Sequence, residues 1–462
     1  MIDFMEKAKK RRDRSGRTAP WFRCLCGSMA AAVLTAGCGS LQGNEPSGEE
    51  TMRFIQPAAV GSAGMEGASD AEGTGSAGMQ GASDAEGTGS VEDNQNPEAA
   101  AEPEITLVMV GDILLHTPVA ESGKGEAGYD FSAVFAPMKE EIEGADLALV
   151  NQEVILGGEE LGISGYPNFN APYELGDALA DAGFDVVLHA TNHALDKGKQ
   201  GLLNCISFWQ EEYPEIAVLG IHDSQEEQQE IYVYEQEGIR VAILNYTYGT
   251  NGIPLPSDMP YAVDMLERER VISDLQRARE LSDFIIVCPH WGTEYVLEAT
   301  QEQENWARLF SENGADLVLG THPHVIEPIV WMGEEAGDAG AGMDVGGEAD
   351  SGSTLVYYSL GNFVNWTSSS GNGIANRMVG GMAQVTIGLN GAGDAVIKSY
   401  NVEPLVCHLE PGFGGVTVYP LAEYTEELAG RNEIVKQDGN FSLEYCRNLA
   451  GEVFGKGESE SF

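Results

Sequence analysis

Short apolar runs alternate along the chain with segments whose apolar residues recur every three or four positions. Residues 105–110 are apolar but for Thr106, the pattern of a strand buried on both faces. Similar runs at 146–150, 185–188, 241–244, 284–287, 317–319 and 354–358 predict further strands. Between them, 173–182, 198–213, 263–281 and 304–313 have helical spacing, with Leu175, Leu179 and Ala182 on one face of the first and Leu202, Leu203, Ile206 and Trp209 on one face of the second. Residues 383–389 and 395–402, joined by a Gly-rich turn, predict a hairpin, and 421–450 predicts one or two terminal helices. Strands alternating with amphipathic helices specify an α/β protein.

Chemistry-bearing residues fall at one place in this pattern. Asp112, Asn151, Glu153, Asn192, His193, His290, His322 and His324 all lie just past the C-terminal end of an apolar run. Ligands bind at that edge in α/β sheets. Aligned strands would therefore deliver carboxylate, amide and imidazole groups to one crevice. The densest piece is 320–324, Gly-Thr-His-Pro-His, directly after a buried run. Two loop histidines without a function are the bland alternative for that piece taken alone. A mixed Asp, Glu, Asn and His set suits Mn, Zn or Fe better than Ca or Mg. It is also what two divalent ions about 3.5–4 Å apart need, with one carboxylate bridging them.

Composition narrows the partners. The chain has 462 residues, with 25 Lys and Arg against 73 Asp and Glu and a formal charge of −48. Phosphate backbones would be repelled, which argues against nucleic acid. The seven cysteines include no CxxC pair and no finger spacing. Cys205 and Cys288 sit in apolar runs and read as buried thiols.

The chain ends carry a separate signal. Lys7, Lys9, Lys10, Arg11, Arg12 and Arg14 precede a short apolar stretch at 24–36, which ends in Leu34-Thr35-Ala36-Gly37-Cys38. This is an export-signal pattern, and its end resembles a bacterial lipobox with Cys38 as the lipidated residue. A plain cleaved signal or an uncleaved anchor is the alternative. Residues 1–38 are thus expected to direct the protein to the outer face of the plasma membrane. Residues 39–103 are rich in Gly, Ser, Ala and Glu, and 61–74 repeats at 75–88 with Glu66 replaced by Gln80. So few apolar side chains build no core, and the expectation is an acidic tether. A second such stretch, 333–353, is expected to be a surface insertion in a domain spanning 104–420, with a helical tail at 421–462.

The motif series Gly111-Asp112, Asn151-Gln152-Glu153, Asn192-His193-Ala194-Leu195-Asp196, His290-Trp291-Gly292, Gly320-Thr321-His322-Pro323-His324 and Ser359-Leu360-Gly361-Asn362-Phe363 resembles the CapA family of poly-γ-glutamate capsule synthesis. That family is similar in fold to the calcineurin-like metallophosphoesterases. The resemblance implies a four-layer α/β/β/α sandwich with two mixed sheets. It implies Asp112 and His324 on a first metal, Asn192, His290 and His322 on a second, and Glu153 bridging. His193 would be the substrate-facing acid, oriented by Asp196. Asn151, Trp291 and Asn362 are expected beside the substrate, with packing the alternative for Trp291 and turn capping for Asn362. In the phosphoesterases a histidine stands two residues past the first Asp. Here that residue is Leu114, and His116 is the available substitute. Glu replaces the usual bridging Asp, and Ala194 stands where an acidic residue usually follows Asn-His.

Three functions are consistent with these residues. One is an exported component that makes, anchors or exports an anionic polymer together with membrane capsule-synthesis proteins. Another is an extracellular metal-dependent phosphoesterase acting on envelope compounds. The last is a binding module without catalysis. A chain so acidic needs local positive charge to hold an anion. Metals would supply it, and Arg377 and Lys398 are among the few basic residues late in the domain. His189 reads as structural, and His222 and His408 have no partner pattern.

Overall fold

The computed structural model describes residues 103–333, 353–412 and 414–455. The expected signal with Cys38, the acidic tether and the interior of the 333–353 insertion lie outside the described residues. Among the described residues, no helix is long and apolar enough to cross a membrane.

Two mixed sheets form the centre. β1 (Glu104–Ile113), β2 (Leu147–Asn151), β3 (Val186–Leu188) and β4 (Ala217–Leu219) begin the first. β5 (Tyr232–Gln236), β6 (Ile239–Thr247), β7 (Phe284–His290), β8 (Leu317–Leu319), β9 (Ile329–Met332) and β10 (Thr354–Tyr357) make the second. β11 (Asn362–Val364), β12 (Val379–Leu389), β13 (Ala395–Glu410) and β14 (Gly415–Pro420) return to the first. Its order is β14-β13-β12-β1-β2-β3-β4, with β11 parallel beside β1; the second runs β9-β10-β8-β7-β6-β5. β1 to β4 are mutually parallel, as are β6, β7, β8 and β10, so each set points its C-terminal ends one way.

The alternation of side chains along β7 shows the layering. Phe284, Ile286 and Cys288 join the core shared with the first sheet, together with Leu317, Leu319, Leu355 and Tyr357. Ile285 and Val287 face the other way. They pack with Val271, Leu275 and Ala278 of the helix Arg268–Leu281 and with Ala307 and Phe310 of the helix Gln301–Glu312. Among the described residues, the five helices of ten or more residues are α1 (Tyr173–Ala182), α2 (Gly198–Glu212), α3 (Arg268–Leu281), α4 (Gln301–Glu312) and α5 (Leu443–Val453). α1, α2 and α5 pack into the core containing the first sheet. The result is the helix–sheet–sheet–helix sandwich that the resemblance implies.

Several elements differ from the sequence reading. α3 begins at Arg268 rather than 263, because Val263 and Met265 bridge to Ile221 and Thr247. α4 begins at Gln301, where Thr300 and Gln303 form a reciprocal capping box. The hairpin is longer on both arms, and β4, β5, β9, β11 and β14 fall outside the predicted strands, although β4 and β9 are short apolar runs of three and four residues. The tail holds two helices, Glu426–Arg431 and α5, joined through a short 3-10 turn. Leu443, Cys446 and Leu449 of α5 are core residues.

Candidate metal centre

The strand register sets the site. Asp112 of β1 lies between Asn151 of β2 and Asn362 of β11. In the second sheet, His290 of β7 lies between Thr247 of β6 and Thr321. These two rows end their sheets on the same side of the core, and the loop 320–324 links them. Gly320 is required where β8 ends, since a Cβ there would overlap the Tyr358 carbonyl oxygen. Beyond it, His322 and His324 take φ values of 100° and 59°. Non-glycine residues in that region cost of order 1–3 kcal/mol each and persist only where surrounding contacts impose them. Asp112 supplies one contact, accepting from the His322 backbone N–H at 3.3 and 3.2 Å. Asn362 supplies another: its Nδ2 donates to the His324 carbonyl at 2.9 Å, and its Oδ1 lies 3.1 Å from His324 Nδ1.

Glu153 is the centre of the arrangement. It is fully buried, and neither carboxylate oxygen has a hydrogen-bond partner. Its Oε1 lies 3.6 Å from His324 Nε2, 3.7 Å from His290 Nε2 and 3.9 Å from His193 Nε2. These distances are too long for hydrogen bonds. Two donor atoms each about 2.1 Å from one tetrahedral ion stand about 3.4 Å apart, so the spacing suits ligands sharing a cation. Among the described residues, three groups of potential ligands converge: Asp112, Glu153 and His324; Glu153, His290 and His322; and Glu294, His322 and His324. Asn192 adds its Oδ1, 3.0 Å from His290 Nε2.

The electrostatics also fit positive charge. Burial raises the Glu153 carboxyl well above its ordinary value. Burial also opposes a charged ring at His324, but Glu153 and Asp112 outweigh it and raise that pKa to about 9. His290 and His322 are pushed well below the usual value by burial and by neighbouring imidazoles, so both stay neutral, the form that ligates metals. His322 Nδ1 is buried without a partner. His290 Nδ1 meets Thr321 Oγ1 at 3.0 Å; if it carries the proton, its Nε2 lone pair faces Glu153.

His193 is held from behind. Asp196 Oδ2 lies 2.7 Å from His193 Nδ1 and also accepts from the Phe169 N–H at 2.7 Å. The Phe169 ring packs edge-on to His193 on one side and to His116 on the other.

Other expected residues are placed differently. His116 belongs to none of the ligand groups found among the described residues. Burial, with His324, Arg377 and His193 nearby, lowers its pKa to about 3. Trp291 is a core residue rather than a cleft wall: it stacks with Phe310 and Tyr358, and its Nε1 donates to the Tyr358 carbonyl at 2.9 Å. Asn151 turns to Asp112, donating at 2.8 Å, and Asn362 braces the histidine loop, so both amides orient ligand residues. His189 is buried and accepts from Trp209 Nε1 at 3.1 Å, a structural role. Cys205, Cys288, Cys407 and Cys446 are all free and buried.

Sequence reasoning missed Glu294, Tyr295, Tyr248 and Asn251. Tyr248 lies against His322, Tyr295 against His324, and Asn251 reaches His193 Nδ1 at 3.3 Å. All four stand in loops with no periodic pattern. The one signal in the chain was that Glu294 follows His290-Trp291-Gly292 closely.

The sequence matches the model of the family described as bacterial capsule synthesis protein PGA_cap over residues 106–367. The chain belongs to this capsule synthesis family. Among its relatives is the PGA biosynthesis protein CapA of Bacillus subtilis (strain 168), 30% identical over 194 residues, 41% of this chain and 45% of that protein. The capsule biosynthesis protein CapA of Bacillus anthracis is 27% identical over 276 residues, 57% of this chain and 61% of that one. The matches thus span about half the length of these curated relatives. A 5'-nucleotidase precursor from Thermus thermophilus superposes with a TM-score of 0.38 at 15% identity, covering 66% of this chain and 54% of its own. The family match contains every residue of the ligand groups, from Asp112 to His324.

Proposed function

We propose that this protein acts in poly-γ-glutamate capsule synthesis, anchoring or export through a two-metal hydrolytic site for an anionic ester. It would stand on the outer face of the plasma membrane, held by a lipid on Cys38 and working beside membrane capsule-synthesis proteins. The observation that carries the catalytic part is Glu153, a fully buried carboxylate without a hydrogen-bond partner among three imidazoles. Without a metal, only a protonated His324 ring 3.6 Å away, and no hydrogen bond, would be left to balance this buried carboxylate, at a cost of several kcal/mol; shared cations would offset that cost and free His324 to ligate.

Divalent cations, when bound, would supply Lewis acidity at an anionic ester and a more acidic bound water. Asp112, Glu153 and His324 would hold one cation; Glu153, Asn192, His290 and His322 would hold the other. The chain's own residues do the rest. Asp196 fixes the His193 proton at Nδ1, which aims Nε2 at the space beside Glu153, where it exchanges a proton with the leaving group or with water. The Phe169 ring keeps solvent from one side of that imidazole.

The experiment is hydrolysis of nitrophenyl phosphate mono- and diesters by the metal-loaded full chain, beside a His290→Ala and His322→Ala double variant. Turnover in the parent, lost in the variant, supports the reading. A fully loaded parent no faster than free metal ion overturns it. That second outcome would favour a binding module, a reading supported by Leu114 two residues past Asp112 and by His116 outside the ligand groups. For the anchor, Cys38→Ser should move the protein out of the membrane fraction.

A further inference from the structure

Arg377 is unusual for this chain. Formal charge is −48, and several arginines of the domain meet a carboxylate: Arg240 with Asp283, Arg270 with Asp264 and Asp274, Arg279 with Asp316, Arg431 with Glu410. Arg377 is half-buried and forms no ion pair among the described residues, and its Nε is buried with no acceptor. Instead its guanidinium carbon lies 3.5 Å from the centre of the Tyr295 ring. Aromatic stacking orients a guanidinium and leaves its N–H edge free for an oxyanion.

The position of this pair is fixed to the metal-ligand loop from two sides. Asn362 Nδ2 donates to the Arg377 carbonyl at 3.0 Å and to the His324 carbonyl at 2.9 Å. The Tyr295 N–H donates to the Pro323 carbonyl, between the two histidines, at 2.7 Å. Tyr295 has φ 68°, an outlier for a bulky residue, yet the residue is 44% exposed. Its strained backbone therefore serves no core packing and presents the ring at the rim. Tyr248, also 44% exposed, stands against His322. Glu294 acts on Arg377 electrostatically but forms no ion pair with it.

We propose that Arg377, laid on Tyr295, receives an oxyanion of the substrate beside the histidine–carboxylate centre and so selects which anionic ligands the site accepts. The ligand chemistry is a carboxylate or phosphate displaced from the group at the metals. Tyr295 and Tyr248 would contact the carbon skeleton between them. This rests on the proposed function for the neighbouring group but not for the binding itself.

The test is calorimetric binding of two probes, a γ-linked glutamate oligomer and inorganic phosphate, to the full chain with and without Mn. The proteins are the parent, Arg377→Gln, Arg377→Lys and Tyr295→Leu. Arg377→Gln should weaken one or both probes at least tenfold in the metal-free protein as well as the loaded one, and flatten the salt dependence. Loss for the oligomer alone names a carboxylate polymer; loss for phosphate alone names a phosphorylated ligand. Arg377→Lys should restore part of the affinity, and Tyr295→Leu should weaken binding with the charge intact. Equal affinity of parent and Arg377→Gln, both folded by circular dichroism, overturns the proposal, as does a parent that binds neither probe. A parent that binds through Arg377 but hydrolyses no ester refutes the catalytic reading and leaves this one standing.

Discussion

Glu327 gives a prediction that needs no metal. It follows the histidine loop, is fully buried, and accepts from Gln303 Nε2 at 2.6 Å, while its other oxygen has no partner. Burial raises its pKa from 4.5 to about 8, with the Gln303 bond opposing that rise. The folded value lies above the unfolded one, so the folded state holds the proton longer. Stability from this group is therefore full below about pH 4.5 and is lost as pH rises to about 8. At about 1.36 kcal/mol per pH unit, the window allows at most about 5 kcal/mol. Replacement by glutamine keeps the acceptor for Gln303 but leaves an amide N–H pair without a described acceptor, which cancels part of the gain. We expect Glu327→Gln to stabilise the protein by about 2 kcal/mol at pH 8 and to be neutral or destabilising near pH 4.5. For a domain of roughly 350 residues, with an unfolding entropy near 2.1 cal/mol/K per residue, that is about 3 °C in Tm. The assay is thermal unfolding of both proteins across pH 4.5–8.5 in chelator. A gap between them that does not change with pH would refute the reasoning.

Three further outcomes follow from specific contacts. Asp196→Asn replaces the carboxylate facing His193 Nδ1 and the Phe169 N–H with a neutral amide that has one acceptor oxygen, weakening the hold on the His193 proton. Turnover should then fall by about 10²–10⁴-fold with metal content unchanged, read by kinetics beside elemental analysis. Asn362→Ala frees His324 and the loop carbonyl, and should weaken metal affinity by about 10–100-fold in a competition titration with a chelator. Trp209→Phe leaves His189 Nε2 without its indole donor in a buried site, and should cost about 1–3 kcal/mol in urea unfolding.

Much of this was legible in the chain because a parallel strand buried on both faces writes a continuous apolar run. The polar residue after it then marks the end of the sheet that bears ligands. Asp112, His290, His322 and His324 are placed that way. The short edge strands were harder to read, since β4 and β9 are half-buried apolar runs of only three and four residues, too short for periodicity to tell a strand from another packed segment. Loop residues were harder still. Nothing local separates Asn151, turned to Asp112, from an amide that faces substrate, and nothing tells Trp291 in the core from a cleft aromatic. Those distinctions depend on register between strands far apart in sequence. Tyr295 was hidden for the same reason: its place beside His324 is set by one backbone hydrogen bond to Pro323.

Glu153 is proposed to join two ligand groups around shared cations. Elemental mass spectrometry of the purified, reconstituted full chain, beside Glu153→Gln, tests it most directly. About two equivalents of Mn, Fe or Zn are expected in the parent and less than one in the variant. A reconstituted parent that retains no metal, or a variant that retains the parent's full content, would contradict it.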